Sequence, residues 1–206
     1  MPSIFRPDPP LVLGILGGVG SGKSRLSSIL AEQGLLVLDA DREAGRVLAS
    51  ADMRPILEQL FGPEILGPDG PRKDRIAAAI FSDPCLRGRL EEAMHPRIRK
   101  ILLGEMQRAL ETGQSVVLDV PLLLEGGLIA HCDRVLYLDV PAGLREARVR
   151  DRGMDPEDWR RREAAQAPLA DKLAAADKVF DNSGTIEDLR KQVLTWLDEE
   201  SDLSSR

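Results

Sequence analysis

Residues 17–24, which read GGVGSGKS, constrain this chain more than any other part of its sequence. They fit the pattern G-x-x-x-x-G-K-[ST], with Lys23 and Ser24 at its last two positions. An apolar run at 11–16 precedes them, and a pattern of apolar residues at helical spacing follows. Such a loop wraps backbone N–H groups around a phosphate, and the following helix adds the positive end of its dipole. The segment therefore predicts a nucleotide-binding loop between a buried parallel strand and a helix, without specifying the reaction.

The composition is that of a globular protein with one domain and room for a small subdomain. Of 206 residues, 43% are hydrophobic and 30% are charged. A net charge of -6 argues against nucleic acid or an anionic membrane as a partner. No apolar run reaches the ~18 residues of a membrane span, and the first ten residues lack the apolar core of a signal peptide. We therefore expect a cytoplasmic protein with no implied protein partner.

Short apolar runs alternate with helical patterns, which predicts an α/β fold with a parallel sheet. The predicted strands lie at 11–16, 35–38, 115–119, 134–139 and 178–181. A mainly helical block with a Gly- and Pro-rich loop at 62–71 separates the second strand from the third. We accordingly predict a nucleotide-binding core (11–52, 114–140 and 177–199), a helical insert (53–113) and an Arg-rich helical region (141–176).

Acidic residues follow two of the predicted strands, where ligands gather in a parallel sheet. Asp39 and Asp41 close the second strand, and Asp119 closes the third. Asp41 is equally suited to act as a general base and to cap the following helix. Asp119 is either a ligand of Mg²⁺ together with Ser24, or an ordinary acid at a strand end.

Seven arginines occur between residues 145 and 162. Arg145, Arg148 and Arg152 have the spacing that would place them on one face of a single helix. This face is either a mobile lid that closes on the donor phosphates or a solvated surface. Trp159 is interpreted as a packing residue, and His95 as a residue at the start of a helix.

Several motifs occur in an order that resembles the dephospho-CoA kinase family. The resemblance extends over about residues 13–197. It rests on the phosphate loop and on four further motifs, which are DAD at 39–41, HPRI at 95–98, VPLLLE at 120–125 and ADKVFDNSG at 176–184.

The resemblance implies a P-loop kinase with a three-layer core, a helical acceptor-binding insert and a helical lid. It implies transfer of the γ-phosphoryl group of ATP to the 3′-hydroxyl of the dephospho-CoA ribose, with Mg²⁺. Asp41 would be the catalytic acid of the DAD motif, and Lys23 and Arg148 would stabilise the transferring phosphate.

The resemblance also assigns the binding residues. The donor nucleotide would contact Val19, Gly20, Ser21, Gly22, Lys23, Ser24, Arg152, Asn182 and Gly184. The acceptor would contact Pro121, Leu122, Leu123 and Glu125, and also Arg75, for which an exposed surface position is the alternative.

The sequence departs from the family pattern at a few positions, and two other functions stay open. Leu16 replaces a threonine, Arg25 replaces a hydroxyl residue, and Gly45 precedes an arginine, Arg46, that the family usually places one position earlier. A kinase for a nucleoside or nucleotide would share the loop and lid but have a different insert. A non-catalytic nucleotide switch would not need Asp41.

Overall fold

The structure, a computed structural model, describes residues 5–204. Its first half contains β1 (Val12–Gly17), α1 (Lys23–Glu32), β2 (Leu36–Asp39), α2 (Ala40–Leu48), α3 (Arg54–Phe61), β3 (Leu66–Gly67), β4 (Gly70–Pro71), α4 (Lys73–Ser82) and α5 (Pro84–Glu111). Its second half contains β5 (Val116–Asp119), β6 (Arg134–Asp139), α6 (Ala142–Arg150), α7 (Pro156–Ala164), α8 (Leu169–Ala174), β7 (Lys178–Asp181) and α9 (Ile186–Ser204). Short 3₁₀ turns occupy Ala51–Met53, Pro63–Ile65 and Leu128–His131.

The chain divides into two units. One contains the described residues up to Asp39 and from Met106 onward, and the other is Ala40–Glu105. Five parallel strands in the order β2-β5-β1-β6-β7 form the sheet of the first unit. The predicted α/β class and parallel sheet are therefore confirmed.

Strand β1 lies in the middle of the sheet, and all six of its residues are buried. Leu13 and Ile15 belong to the main hydrophobic core, which also includes apolar residues of α1 and α9. On the opposite face, a Cβ atom added to Gly14 would lie 2.7 Å from both Leu123 and Cys132 Sγ. Because both faces are covered, the strand is an unbroken apolar run with no polar alternation.

The strand register brings the carboxyl ends of the sheet together. Asp39 pairs with Asp119, and Asp139 pairs with Asp181. Gly17, where the phosphate loop begins, pairs with Leu138. The carboxyl edge of the sheet therefore places Asp119 one strand away from the loop and its neighbour Asp39 two strands away.

The second unit has its own core, formed by Val47, Met53, Leu57, Ile65, Ile76 and Leu90. The predicted loop at 62–71 contains regular structure that the sequence analysis did not predict, since β3 and β4 pair there as a two-stranded antiparallel ribbon. The prediction that a helix starts at His95 was also wrong, because His95 and Pro96 lie inside α5.

The Arg-rich region 141–176 contains three helices, α6, α7 and α8, and its arginines do not lie on a single helix. α6 ends at Arg150, and Gly153, with φ 80°, turns the chain. Asp155 then caps α7 by accepting a hydrogen bond from the Glu157 N–H at 2.7 Å, and Pro156 follows at the first helical position. The predicted three-arginine face is therefore wrong for Arg152, which lies beyond the end of α6.

Among residues 5–204, no helix is both long enough and apolar enough to cross a lipid bilayer.

Candidate active site

The phosphate loop connects β1 to α1 and depends on glycine at two positions. Gly20 has φ 87° and Gly22 has φ 95°, a region that favours glycine. Their neighbours also leave no room for a side chain: a Cβ on Gly20 would lie 2.6 Å from the carbonyl oxygen of Arg145. A Cβ on Gly22 would overlap the side-chain amide of Asn182. The loop is therefore held in its curled form by close backbone packing.

Lys23 lies across this loop. Its Nζ donates to the carbonyl of Gly17 at 3.1 Å and to that of Gly18 at 3.4 Å. Burial lowers the pKa of Lys23, while the negative charge of Asp119 acts in the opposite direction. The ammonium group is thus poorly solvated, and an anion bound in the loop would stabilise its charge.

Two oxygen-bearing residues near Lys23 have the chemistry of a magnesium site. Ser24 is exposed at the start of α1. Asp119 is partly buried at the end of β5 and accepts a hydrogen bond from Ser27 Oγ at 2.6 Å. One hydroxyl and one carboxylate suit Mg²⁺, which keeps several waters and shares its coordination with substrate phosphates.

Asn182 and Arg148 join the loop to β7 and α6. Asn182 Nδ2 donates to the carbonyl of Ser21 at 2.7 Å, and Arg148 Nη2 donates to the carbonyl of Asn182 at 2.8 Å. Three buried polar atoms in this cluster have no hydrogen-bond partner among the described residues: Ser21 Oγ, Asn182 Oδ1 and Arg148 Nη1. Such atoms carry a free-energy cost that a bound ligand would remove.

Arg148 also faces other cations. Burial lowers its pKa, and the positive charges of Arg25 and Arg152 lower it further. Mutual repulsion of guanidinium groups would be relieved by an anion between them. The structure therefore links the predicted residues Arg148 and Asn182 to the phosphate loop and places Arg152 close enough to Arg148 for its charge to act there.

Three further residues contact the loop, all of them at Val19: Arg145, which belongs to the predicted arginine face, Trp159, which was interpreted as a packing residue, and Glu163, which the sequence analysis did not identify. The Val19 N–H donates to Glu163 Oε2 at 2.8 Å, while the Val19 carbonyl accepts from Trp159 Nε1 and Arg145 Nη1, both at 3.2 Å. Trp159 and Glu163 are four residues apart on α7. This spacing puts them on one face, and it is the sequence signal that could have found them.

Comparison with known proteins identifies the family. Residues 11–188 match the family model described as dephospho-CoA kinase. The chain belongs to the dephospho-CoA kinase family. It is 42% identical to the dephospho-CoA kinase of Corynebacterium jeikeium over 188 residues, covering 89% of this chain and 96% of that protein. The recognition made from the motifs is thereby confirmed.

Solved structures share the fold of this chain. TT1252 from Thermus thermophilus is 36% identical, with a TM-score of 0.73 over 92% of this chain and 97% of that one. The dephospho-CoA kinase from Campylobacter jejuni is 22% identical and shares the fold, with a TM-score of 0.70 over 94% and 98% of the two chains. A P-loop kinase core is therefore confirmed, and its substrate ATP follows from membership of a kinase family.

The segment 120–125, which a dephospho-CoA kinase acceptor pocket is expected to include, lies beyond β5. Leu123 is completely buried, whereas Leu122 is partly exposed. Glu125 Oε1 accepts a hydrogen bond from the backbone N–H of Ala167. Leu123 therefore has a packing position, whereas Leu122 and Glu125 are exposed.

Lys172 is a buried cation near this segment. It is 1% exposed, and its Nζ donates to Gln166 Oε1 at 2.6 Å. Burial lowers the pKa of Lys172, and the charges of Glu125 and Glu163 raise it. Lys172 thus hydrogen-bonds Gln166, which follows α7, and lies within the electrostatic field of Glu125 and Glu163.

Of the remaining predicted residues, Asp41, Arg75 and Gly184 are exposed, and Pro121 is partly buried. Asp41 lies in the first turn of α2 and Arg75 lies in α4, both in the unit Ala40–Glu105. Pro121 precedes Leu122, and Gly184 follows β7, where a Cβ would lie 2.9 Å from Asp188 Oδ2. The functional roles of all these residues remain predictions.

Proposed function

We propose that this kinase transfers the γ-phosphoryl group of ATP to the 3′-hydroxyl of the ribose of dephospho-CoA, giving coenzyme A and ADP. The observation that carries the proposal is the family match across residues 11–188, which includes a fully formed phosphate loop. We expect the reaction to take place in the cytoplasm on small-molecule substrates, without a nucleic acid or protein partner.

The donor phosphates are bound by the loop amides of residues 19–24 and by Lys23. The Lys23 amine exchanges its present acceptors, the carbonyls of Gly17 and Gly18, for phosphate oxygens. Because these groups are already in place and poorly solvated, they stabilise the charge that develops during transfer without large rearrangement. Arg148 Nη1, which lacks a partner among the described residues, supplies a further donor.

Mg²⁺ is the expected metal, held by Ser24 and Asp119. When bound, it neutralises phosphate charge during transfer. Ser27 orients Asp119 through the 2.6 Å hydrogen bond, and the carboxylate would bind the metal directly or through its waters.

Asp41 is proposed to accept the proton of the acceptor hydroxyl. It is exposed in the first turn of α2, two residues after the carboxyl end of β2. Its carboxylate can hydrogen-bond the attacking hydroxyl and orient it for in-line transfer. Arg75 is proposed to bind the acceptor pyrophosphate, and Pro121, Leu122, Leu123 and Glu125 to border the rest of the acceptor.

A panel of acceptors tests the proposal. ADP release would be measured with ATP and Mg²⁺ and with dephospho-CoA, adenosine, AMP or no acceptor. Of these acceptors, only dephospho-CoA is expected to give efficient turnover. A site whose polar groups bind the acceptor pyrophosphate leaves those groups without partners when adenosine or AMP is bound. Phosphorus NMR of the product should locate the new phosphate on the ribose 3′ oxygen.

Two results would contradict the proposal. Equal or better use of adenosine or AMP would indicate a nucleoside or nucleotide kinase. ADP release that no acceptor stimulates would indicate a nucleotide switch. The Lys23→Ala variant serves as the background control in every arm.

A further inference from the structure

Glu163 of α7 binds the phosphate loop in the way that an oxyanion would. Its Oε2 accepts the backbone N–H of Val19, the third residue of the loop, at 2.8 Å. Its Oε1 accepts from Arg145 Nη1 at 2.5 Å. A carboxylate therefore holds one loop amide and one guanidinium, two donors of the kind that bind phosphate.

Arg145, the cation that binds Glu163, is held in place by its surroundings. It is 3% exposed, and its Nε donates to the carbonyl of Val140 at 3.2 Å. The guanidinium carbon lies 5.7 Å from the centre of the Trp159 ring. The charge of a buried guanidinium is stabilised by a nearby anion, and Glu163 supplies that negative charge to Arg145.

Trp159 attaches the same helix to the same residue. Its indole N–H donates to the Val19 carbonyl at 3.2 Å, while Glu163 takes the Val19 N–H. Both polar backbone groups of Val19 are thereby occupied by α7. The charge of Glu163 also raises the pKa of Lys23, so its field reaches the loop lysine.

A phosphate entering the loop would meet this carboxylate as a like charge. The single N–H of Val19 cannot serve two anions at once, and the repulsion between two anions in this partly desolvated site is large. One of them must therefore leave when the loop is filled.

We propose that Glu163 is an internal substitute for a donor phosphate: it occupies Val19 N–H and Arg145 in the nucleotide-free chain, and ATP displaces it and takes over Arg145. This inference rests on the proposed binding of ATP at the loop. Arg145 is then a phosphate-binding residue, and Glu163 is a positioning residue that keeps α7 on the empty loop. The fraction of chains with Glu163 bound reduces the apparent affinity for ATP.

The first test compares Glu163→Gln with Glu157→Gln. Both remove one negative charge from α7, but Glu157 lies exposed in its first turn. ATP binding would be measured by isothermal titration calorimetry without acceptor. Glu163→Gln should bind ATP about fivefold or more tightly than wild type, because the competing anion is gone. Glu157→Gln should bind like wild type, and Arg145→Gln should bind more weakly.

If Glu163 had only a structural role, the Glu163→Gln substitution would not tighten ATP binding. Loss of a structural ion pair would leave ATP affinity unchanged or weaken it, and either result in a folded Glu163→Gln protein would overturn the inference. If wild type itself failed to bind ATP, the proposed function would be at fault instead.

A second measurement needs no change at Glu163. The Trp196→Phe variant leaves Trp159 as the single tryptophan, so its emission reports on the contact with Val19. Titration with inorganic pyrophosphate should shift this emission as Glu163 and α7 leave the loop. Pyrophosphate that binds, as calorimetry would show, without changing the emission would overturn the inference even if Glu163→Gln did not fold.

Discussion

Asn182 Nδ2 donates a hydrogen bond to the backbone carbonyl of Ser21 over 2.7 Å, joining the end of β7 to the phosphate loop across 161 positions of sequence. The contact is buried, and the amide group lies where a Cβ on Gly22 would be. The glycine of the motif is therefore required both by its φ of 95° and by its distant neighbour.

We expect Gly22→Ala to destabilise the fold and weaken ATP binding. The left-handed backbone and the displaced Asn182 amide should together cost about 1–3 kcal/mol of unfolding free energy. Urea denaturation and calorimetric ATP titration measure the two effects.

Gly45→Ala is the matched control for this substitution. Gly45 lies inside α2, and a Cβ there would have no atom within 4 Å. The same chemical change should therefore stabilise by about 0.5–1 kcal/mol, since alanine is the better helix former. Equal effects of the two substitutions would contradict the packing argument.

The sequence predicted the local part of this site better than the distant part. Strand β1, the loop and α1 follow from consecutive residues, because a glycine-rich turn between an apolar run and a helical pattern has few other structures. The contact of Glu163 with Val19 depends on a turn at Gly153 that splits the Arg-rich region into α6 and α7. Gly153 and the pair Asp155-Pro156 are local signals of that turn, but the single-helix prediction rested on the arginine spacing and did not use them.

The antiparallel ribbon at Leu66–Gly67 and Gly70–Pro71 shows the same limit. Its strands have two residues each, too few for an alternating pattern to reveal. Gly and Pro residues marked the segment as a turn, but pairing across it depends on the surrounding core of the second unit.

Lys23→Ala should abolish most phosphoryl transfer while leaving the fold intact. The loss of a preorganised cation from the loop should lower kcat about 10³-fold or more. Thermal stability should change little, because Lys23 donates only to loop carbonyls among the hydrogen bonds described and its burial is itself unfavourable. Lys191→Ala, at an exposed position on α9, is the control. Near-normal turnover of folded Lys23→Ala would refute the role assigned to this lysine.

Asp41→Asn should be far more damaging to catalysis than Asp39→Asn. Asparagine keeps the size of the side chain but cannot accept a proton, so loss of a general base should lower kcat about 10²–10⁴-fold. ATP affinity should change much less, since the donor residues are untouched. Asp39 pairs in register with Asp119 at the carboxyl end of the sheet. Asp39→Asn also removes one negative charge at the end of β2, so it is the control for the loss of charge in Asp41→Asn. A severe effect at Asp39 with a mild one at Asp41 would reverse the assignment.

Asp119→Asn should raise the Mg²⁺ concentration needed for half-maximal activity. The amide is a weaker ligand for a hard cation than the carboxylate it replaces. Ser27→Ala separates this role from a structural one, because it removes the 2.6 Å hydrogen bond and keeps the carboxylate. Activity would be titrated with Mg²⁺ for both variants. If Ser27→Ala reproduced the whole effect of Asp119→Asn, the acid would serve mainly to hold α1 against β5.

The two cysteines should react very differently with alkylating reagents. Cys85 is exposed, whereas burial, helped by the charges of Asp133 and Asp177, raises the pKa of Cys132 from 9.0 to about 12. Three pKa units mean about a thousandfold less thiolate at pH 8, and the thiolate is the reactive form. Iodoacetamide at pH 8 should therefore label one cysteine in the native protein and both in urea, with the Cys85→Ser variant unlabelled until it unfolds.

The native Cys132 thiol keeps its proton as the pH rises through the unfolded pKa of about 8.5, so the unfolded state binds fewer protons and this group lowers stability above that pH. Cys132→Ala should reduce the loss of stability between pH 9 and 11, measured by urea denaturation. Rapid labelling of native Cys132 at pH 8 would show that the thiol is not shielded.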